Sequence, residues 1–299
     1  MGNNRVLRVG AAGLLVCVTH NAHALDASQA QSGGMGKTVR SSVHEAASVY
    51  AAPGLVWVGE RFDMGAGGGL DTDGSRSFFV GAHDGQTSAI GLGVHWISRR
   101  AEAVPSPDEL PGWRRKGETF NNEVESSVIA AAIGGGGVHH LFGFGVGLRY
   151  YSRTSTLRGA SRSFNVAPSV AGVVADQVTL SLTVENPLPF EYIDAPLGVG
   201  TGARWQPTPR FAVALDTLTD LGSVPGEVRF SPMVGAEMWL HEMVPTRVGW
   251  TQDGITQRQQ VTLGLGVASD AMDFSYACGG LWSSDSGPTL HQLAIRLSM

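Results

Sequence analysis

Apolar and polar residues alternate along most of this chain, and the alternation is clearest over residues 256–299. The apolar positions there are Val261, Leu263, Leu265, Val267, Met272, Phe274, Tyr276, Cys278, Leu293, Ile295, Leu297 and Met299. Successive side chains of a strand point to opposite faces, so a period of two predicts strands with one apolar face. The short turn Ser269-Asp270 and a longer polar loop after Cys278 join three such strands, which predicts an antiparallel meander.

The same period predicts fourteen strands from residue 55 to the last residue. Their predicted ranges are 55–64, 76–83, 88–98, 121–133, 138–151, 163–174, 177–185, 197–205, 210–218, 228–240, 244–251, 257–268, 271–278 and 289–299. The predicted links alternate in length. The short ones are 84–87, 134–137, 175–176, 206–209, 241–243 and 269–270, and the longer ones are 65–75, 99–120, 152–162, 186–196, 219–227, 252–256 and 279–288. An even strand number with short turns at one end and longer loops at the other is typical of transmembrane barrels.

The composition of the non-apolar face of the predicted strands distinguishes a membrane barrel from a soluble one. A soluble barrel or sandwich would carry Lys, Glu, Arg and Gln on its exposed face. Here that face is mostly Gly, Ala, Ser and Thr, and the charges on it are isolated ones such as Arg149 and Glu185. We therefore predict that the apolar face contacts lipid and that the small-residue face encloses a lumen filled by something else.

Aromatic residues near the predicted strand ends suggest interfacial girdles. They are Trp57, Trp96, Tyr150, Tyr151, Trp205, Trp239 and Trp250. The alternative is that they form the core of a secreted β-sandwich, and the alternation alone leaves this alternative open.

The residues before the barrel divide into two parts. Residues 1–24 have a basic start, an apolar run from Val9 to Val18 and the small-residue site Ala22-His23-Ala24, which predicts a secretory signal peptide cleaved near Ala24. Residues 25–54 are rich in Ala, Ser and Gly, and their spacing allows a short amphipathic helix stopped by Pro53-Gly54. The predicted organisation is a signal peptide (1–24), a periplasmic or luminal plug segment (25–54) and a barrel (55–299).

Composition narrows the function. Acidic residues outnumber basic ones, 26 to 21, which argues against a nucleic-acid partner. After cleavage Cys278 is the one remaining cysteine, so an intramolecular disulfide is excluded. The mature chain has no apolar run of about 18 residues, so a helical membrane protein is excluded as well.

Three short motifs resemble parts of known chemical sites, and none has the complete pattern. Gly36-Lys37-Thr38 lacks the earlier glycine of a phosphate-binding loop, because Gln31 holds that position. His241-Glu242 lacks the second histidine of a zinc-protease helix, and His139-His140 would place its rings on opposite faces of a strand. We predict no catalytic, cofactor-binding or metal-binding residues and no enzymatic activity.

Both ends of the mature chain resemble the FadL-type long-chain fatty-acid transporter superfamily, which includes PorV-like outer-membrane proteins. The similar stretches are Ala46-Ala47-Ser48-Val49-Tyr50-Ala51-Ala52-Pro53-Gly54-Leu55, Leu263-Gly264-Leu265-Gly266 and Asp273-Phe274-Ser275-Tyr276-Ala277. The chain departs from the family pattern at Ala52, where the family has Asn, and in lacking a residue between Pro53 and Gly54. The resemblance implies a fourteen-stranded barrel whose lumen is partly occupied by the N-terminal segment.

Three functional hypotheses follow. The first is an outer-membrane barrel that passes hydrophobic or amphipathic small molecules, with residues 25–54 as a plug. The second is a non-transporting, PorV-like surface or secretion-assembly platform whose loop 99–120 carries partner contacts. The third is a secreted soluble β protein or enzyme. The expected partners are outer-membrane lipid together with hydrophobic small molecules or secretion proteins.

Overall fold

The computed structural model describes residues 30–42, 45–59, 61–71, 74–85, 90–103, 122–137, 141–155, 159–188, 197–222, 227–254, 257–281 and 290–299. The predicted signal peptide 1–24, most of loop 99–120 and the pair His139-His140 lie outside these ranges. Within them are the helices α1 (Ala30–Gly34), α2 (Ser48–Ala51) and α3 (Leu55–Val58). The strands are β1 (Phe62–Asp71), β2 (Arg76–Asp84), β3 (Gly91–Ala103), β4 (Asn122–Gly137), β5 (Phe142–Ser155), β6 (Gly159–Val174), β7 (Val178–Glu185), β8 (Gly198–Thr208), β9 (Phe211–Asp220), β10 (Arg229–His241), β11 (Val244–Gln252), β12 (Gln259–Ala268), β13 (Met272–Leu281) and β14 (Leu290–Ser298).

The fourteen strands form one closed antiparallel barrel. Each strand pairs with its neighbours in sequence, and β1 pairs with β14 in a register that places Ala66 opposite Ile295. Closure gives every strand a partner on both sides, which removes the free edges through which sheets associate. The predicted fold class is therefore confirmed.

The first strand begins later than predicted. Residues 55–58 form helix α3, and most of the predicted loop 65–75 belongs to β1. Leu55-Val56-Trp57-Val58 is an apolar run without alternation, and all four residues are buried.

Glycines in β1 have a packing role, because a Cβ on Gly67 would lie 2.5 Å from the ring of Phe79.

Strands β4, β5 and β6 extend further than predicted. The predicted turn 134–137 lies inside β4, and most of the predicted loop 152–162 belongs to β5 and β6. Pairing continues there with Arg153 opposite Ser161. Residues 134–137 are all glycine, and the ends of β5 and β6 are mostly polar or small on both faces, so neither has an apolar period that would identify a strand.

The two ends of the barrel differ in their links. Links 85–90, 138–141, 175–177, 209–210, 242–243 and 269–271 lie at one end, which we call the short-turn end. The turn at 175–177 is tight because Ala175 and Asp176 both have a positive φ, 52° and 57°. Links 72–75, 104–121, 156–158, 186–197, 221–228, 253–258 and 282–289 lie at the other end, the long-loop end. Links 72–75 and 156–158 are short because the strands beside them extend further than predicted.

The faces of the wall have the predicted polarity. Large apolar side chains such as Phe144, Leu263 and Leu293 face outward and are exposed, whereas Thr183, Ser275 and Arg149 face inward and are buried. An exposed apolar band this extensive requires an apolar environment. Among the described residues, no helix is both long enough and apolar enough to cross a bilayer.

The predicted aromatic girdles are right in part. Trp96, Tyr150 and Trp205 lie on the outer face. Trp57 and Tyr151 are buried inside the barrel, so their assignment to a girdle was wrong. The alternation placed both aromatic residues near strand ends. It did not show that Trp57 belongs to a helix or that the luminal segment covers Tyr151.

The described residues of the three helices before β1 lie inside the barrel. Helix α1 contacts β11 to β14, α2 contacts β3 to β5, and α3 contacts β2 to β6. We call residues 30–42 and 45–59 the luminal segment. It starts beside β12 to β14, crosses to β7 to β9 at Arg40, and ends near the short-turn end, where Val56 approaches Gly85 and Gly91.

Candidate functional site: the occupied lumen

Glycines allow the luminal segment to approach the wall closely. Gly36 has a φ of +68°, and a Cβ on it would lie 2.6 Å from the backbone of Val234 and Trp250. Wall residues Gly235 and Gly249 pair across β10 and β11, and a Cβ on either would collide with Met35 or Gly36. The small residues of the inner face therefore accommodate this segment.

A threonine of the wall holds the same part of the segment. The Gly36 amide donates to the Thr262 hydroxyl oxygen at 3.0 Å, and that hydroxyl donates to the Gly34 carbonyl at 3.2 Å. Both contacts are buried. These bonds satisfy backbone groups that would otherwise be stranded inside the barrel.

Arg40 makes short, charged contacts with two wall strands. Its Nη2 atom lies 2.6 Å from Oε1 of Glu185, and its backbone amide donates to Oδ2 of Asp216 at 2.5 Å. The Ser41 hydroxyl donates to the other oxygen of Asp216 at 3.0 Å, and the Ser181 hydroxyl donates to the Arg40 carbonyl. The carboxyl groups of β7 and β9 thus bind one short stretch of the segment through both backbone and side chain.

Arg149 of β5 extends this cluster to a second point of the segment. Its Nη1 atom lies 3.5 Å from Oε2 of Glu185, and its Nη2 atom donates to the carbonyl of Tyr50. The guanidinium lies 4.2 Å from the centre of the Tyr50 ring, in cation–π geometry. Tyr151 donates to Asn186 at 2.8 Å and so borders the cluster. We call Arg40, Tyr50, Arg149, Glu185 and Asp216 the clamp.

The clamp balances two guanidinium groups against two carboxyl groups in a buried place. Burial lowers the pKa of Arg40, but the carboxylates of Glu185 and Asp216 raise it more, so the pKa lies above its usual value. Burial, followed by the neighbouring Tyr151, raises the pKa of Tyr50 well above 10.0. The segment therefore presents a permanent cation and a neutral phenol to the wall at neutral pH.

An apolar row on the inner wall lies beside the clamp. Phe79, Ile97, Val128 and Tyr151 are cross-strand neighbours on β2 to β5. All four are buried, and they cluster with Val39, Val49 and Tyr50 of the luminal segment. The segment therefore covers an apolar strip on a wall that is otherwise lined mainly by small and polar residues.

A second charged cluster joins only wall strands. Arg247 donates to Glu237 at 2.7 Å and to the Ser275 hydroxyl at 2.9 Å, and it lies 3.5 Å from Asp273. Arg204 contacts Glu237 at 3.3 Å, and Arg296 contacts Asp273 at 3.6 Å. These residues lie near the short-turn end of β8, β10, β11, β13 and β14. We call them the wall cluster.

The fold matches that of transporters and channels for hydrophobic compounds. The toluene transporter TodX of Pseudomonas putida aligns with a TM-score of 0.68 at 11% identity, covering 93% of this chain and 99% of that one. A FadL homologue of Pseudomonas aeruginosa aligns at 0.65 and 9% identity, covering 91% and 98%. The toluene transporter TbuX of Ralstonia pickettii aligns at 0.63 and 10% identity, covering 92% and 98%.

The likeness is one of fold and not of sequence. No family model matches the chain, and no curated protein matches it. The barrel implied by the FadL resemblance is confirmed, while the PorV-like part of that resemblance gains no support from these structures. The structures are transporters and channels and not enzymes, and the absence of enzymatic activity in this chain stays a prediction.

The motifs set aside in the sequence have structural positions. Gly36, Lys37 and Thr38 belong to the luminal segment, where Lys37 has a φ of 69° and the Thr38 hydroxyl donates to the Met35 carbonyl at 3.0 Å. His241 ends β10, and Glu242 pairs with Arg210 in an exposed contact of 3.3 Å. Within the described ranges, no group of three His, Cys, Asp or Glu residues is arranged to bind a metal.

Sequence reasoning missed the clamp. Arg149 and Glu185 were identified as isolated charges on the small-residue face, but Arg40 and Asp216 were not singled out. The contacts of Arg40 with Glu185 and Asp216 span 145 and 176 residues. The one available signal was a charge on the face that should be small, since an inward charge needs a partner.

Proposed function

We propose that this chain is an outer-membrane channel for hydrophobic or amphipathic small molecules, and that the luminal segment is its gate. In this proposal, cleavage of a signal peptide near Ala24 produces the mature protein. Three of the structures with this fold carry the names toluene transporter or monoaromatic hydrocarbon channel. Compounds of that class are the first candidates for the substrate.

The apolar row carries this proposal. Phe79, Ile97, Val128 and Tyr151 face the interior of a barrel whose lumen otherwise suits water. Burying a large apolar side chain is favourable by about 1.5–3 kcal/mol, so the row needs a cover. The segment supplies that cover when it is in place, and a passing apolar molecule supplies it when the segment moves.

The clamp favours a luminal segment that acts as a gate rather than one that fills the lumen permanently. Arg40 contacts two carboxyl groups of the wall, and Tyr50 lies against Arg149, so the clamp attaches the segment at two points. Weakening this buried cluster should therefore favour release. The barrel keeps its own closure because its strands pair without the segment.

Deletion of residues 25–54, behind the retained signal sequence, tests the gate. We expect higher ion conductance in planar bilayers and faster toluene uptake into proteoliposomes. Arg40→Met should raise both in the same direction. Arg210→Met is the matched control, because the Arg210–Glu242 pair is exposed at the short-turn end and does not contact the segment. Unchanged conductance and uptake after the deletion would contradict the gate.

A second pair of variants tests the hydrophobic substrate. In the deletion background, Phe79→Ser and Ile97→Asn should slow toluene uptake and leave ion conductance unchanged. The physical reason is that both replace apolar contacts on the inner wall without narrowing the lumen. A loss of ion conductance together with uptake, or no effect on uptake, would reject the apolar row as the path.

The membrane location has its own test. A closed barrel of this kind should migrate faster in detergent gels when unheated than when boiled, and the protein should separate with outer-membrane fractions. A mature protein that stays soluble without detergent would reject the location. Mass spectrometry of the purified chain determines whether its first residue follows Ala24.

A further inference from the structure

The inner face of β8 has only glycines where it lies against Arg40. Gly200 and Gly202 face inward there, and both are buried. A Cβ on Gly200 would collide with Nε of Arg40, and a Cβ on Gly202 would lie 2.9 Å from the Cβ of Arg40. The two glycines therefore form the floor of a pocket that the Arg40 side chain fills.

The strands on either side of β8 supply the walls of this pocket. Ser181 of β7 and Asp216 of β9 lie directly opposite Gly202. Glu185 lies further along β7 on the same inner face, and its Oε1 atom is 3.0 Å from the position of a Cβ on Gly200. The pocket thus has a carboxyl group on each side of a glycine floor. We call Ser181, Glu185, Gly200, Gly202 and Asp216 the cation pocket.

Arg40 does not satisfy all of its own polar atoms in the cation pocket. Its Nη2 atom donates to Glu185, whereas its Nε atom is buried and has no hydrogen-bond partner among the described residues. A buried donor without a partner is unfavourable. A primary ammonium group lacks this extra donor, so it would bind the same carboxylate without that loss.

Departure of Arg40 would leave the cation pocket with a negative charge. Of the remaining clamp residues on the wall, Glu185 and Asp216 are acidic and only Arg149 is basic, with its Nη1 atom 3.5 Å from Oε2 of Glu185. Arg204, the next inward residue of β8, contacts a carboxylate of β10 at 3.3 Å. A desolvated carboxylate needs a partner, so the vacated pocket favours a cation over a neutral or anionic group.

The apolar row ends beside the cation pocket. Tyr151, the last member of the row, donates to the side chain of Asn186 at 2.8 Å, and Asn186 directly follows Glu185. The luminal segment uses both surfaces, because Arg40 fills the pocket and Tyr50 belongs to the same hydrophobic cluster as the row. The segment therefore presents a cation and an aromatic ring to the wall, as an amphipathic amine would.

We propose that the cation pocket and the apolar row together bind an amphipathic amine, with its protonated amino group at Glu185 and its apolar part on the row. This inference rests on the proposed function, because the luminal segment must leave the wall before the row is free. It narrows the substrate to hydrophobic compounds that have a cationic group. Such a molecule replaces Arg40 and Tyr50, so its binding favours the open channel.

Single-channel recording of the unaltered full chain tests this replacement. Phenethylamine is protonated at neutral pH, and it should raise the open fraction about tenfold or more at saturating concentration. Phenethyl alcohol has the same ring without the charge, and phenylpropionate has the opposite charge. Neither should change the open fraction. Equal effects of the three compounds, or no effect of phenethylamine, would overturn the proposal.

Calorimetric titration of the purified full-length Arg40→Ala variant measures the pocket itself, because this variant vacates it. Phenethylamine should bind about tenfold or more tightly than phenethyl alcohol. Adding Glu185→Gln should remove that preference, since the charge that holds the amino group is lost. Adding Gly200→Ala should weaken phenethylamine binding as well, because the new Cβ occupies the pocket while every charge remains.

Gly198→Ala is the matched control, on the same strand and the same face. The nearest atoms to a Cβ there belong to Thr219 and Leu218 and not to Arg40, so binding should stay unchanged. If Glu185→Gln loses its heat-dependent gel shift, Asp216→Asn replaces it, with weaker binding expected.

Two further results decide between the pocket and the channel. Equal binding of the amine and the alcohol, or full binding after Gly200→Ala, overturns the cation pocket. Toluene uptake into proteoliposomes is measured with the same preparations. Selective amine binding without toluene uptake would support the pocket and reject the channel, whereas toluene uptake without selective amine binding would reject the pocket alone.

Discussion

The clamp and the wall cluster have the same chemistry but join different parts of the molecule. In each, a buried arginine lies between carboxyl groups on different strands. The clamp contains two residues of the luminal segment, and it lies nearer the long-loop end. The wall cluster contains strand residues alone, and it lies near the short-turn end.

Under the proposed gating function, this difference separates contacts that stabilise the barrel from contacts that hold the channel closed. Arg247 connects β10, β11 and β13 around part of the barrel, so its contacts are made whenever the barrel is closed. Arg40 connects the luminal segment to β7 and β9, so in the proposed gate its contacts are lost when the segment leaves the wall. Under this proposal, the ion pairs of the wall cluster contribute to folding, and those of the clamp contribute to the closed state.

The largest effect is expected at the wall cluster. Arg247→Met should lower the free energy of unfolding of the barrel by about 3–5 kcal/mol, because Glu237 and Asp273 lose their fully buried partner and keep only the contacts with Arg204 and Arg296. Urea unfolding in detergent measures this, and Arg210→Met should stay within about 0.5 kcal/mol of the unaltered chain. If Arg247→Met instead opened the channel and left the free energy of unfolding unchanged, the distinction between the two clusters would be reversed.

Arg40→Met should act on the gate more than on the barrel. We expect the docking of the segment to weaken by about 3 kcal/mol, which raises the ratio of open to closed channels about a hundredfold. Single-channel recording gives that ratio. The free energy of unfolding should fall less than in Arg247→Met. Equal losses of stability in the two variants would show that the segment is part of the folded barrel and not a gate.

Gly36→Ala should have a smaller effect of the same kind. A non-glycine residue at a φ of +68° costs about 1–2 kcal/mol, and the new Cβ would also press on the wall. The open fraction should rise about tenfold or more. Gly74→Ala is the matched control, because Gly74 also has a positive φ but a Cβ there meets no atom within 4 Å. An equal effect of both variants on the open fraction would exclude close packing as the cause.

The smallest effect concerns Tyr50 and alkaline pH. Its raised pKa means that the docked state holds the phenol proton more tightly than the released state does. Docking is therefore fully stable below pH 10.0 and weakens as the pH rises above it. The open fraction should increase in that range, and Tyr50→Phe should abolish the increase. At neutral pH the same variant should change docking by less than about 1 kcal/mol, since the Tyr50–Tyr151 contact is 3.5 Å long.

Sequence reasoning succeeded where the signal is local. The alternation in β12, β13 and β14 was enough to predict strands and faces, because a strand that contacts lipid on one side and a polar lumen on the other must have a period of two. It failed at β1, where Gly65 to Gly69 offer no apolar period. It also failed at Leu55–Val58, where burial on all sides removes the alternation.

The amino-acid sequence by itself determined an even, antiparallel barrel with an apolar exterior and a small-residue interior, since these features depend on residues close together in the chain. Only the tertiary structure decided what fills that interior and which charges hold it. Arg40, Arg149, Glu185 and Asp216 lie on four separate elements, and their meeting depends on the closed register of the wall and on the path of the segment across it. Contacts between residues far apart in the chain produce no periodic pattern in the sequence. The clamp could therefore be recognised as one site only in the folded structure.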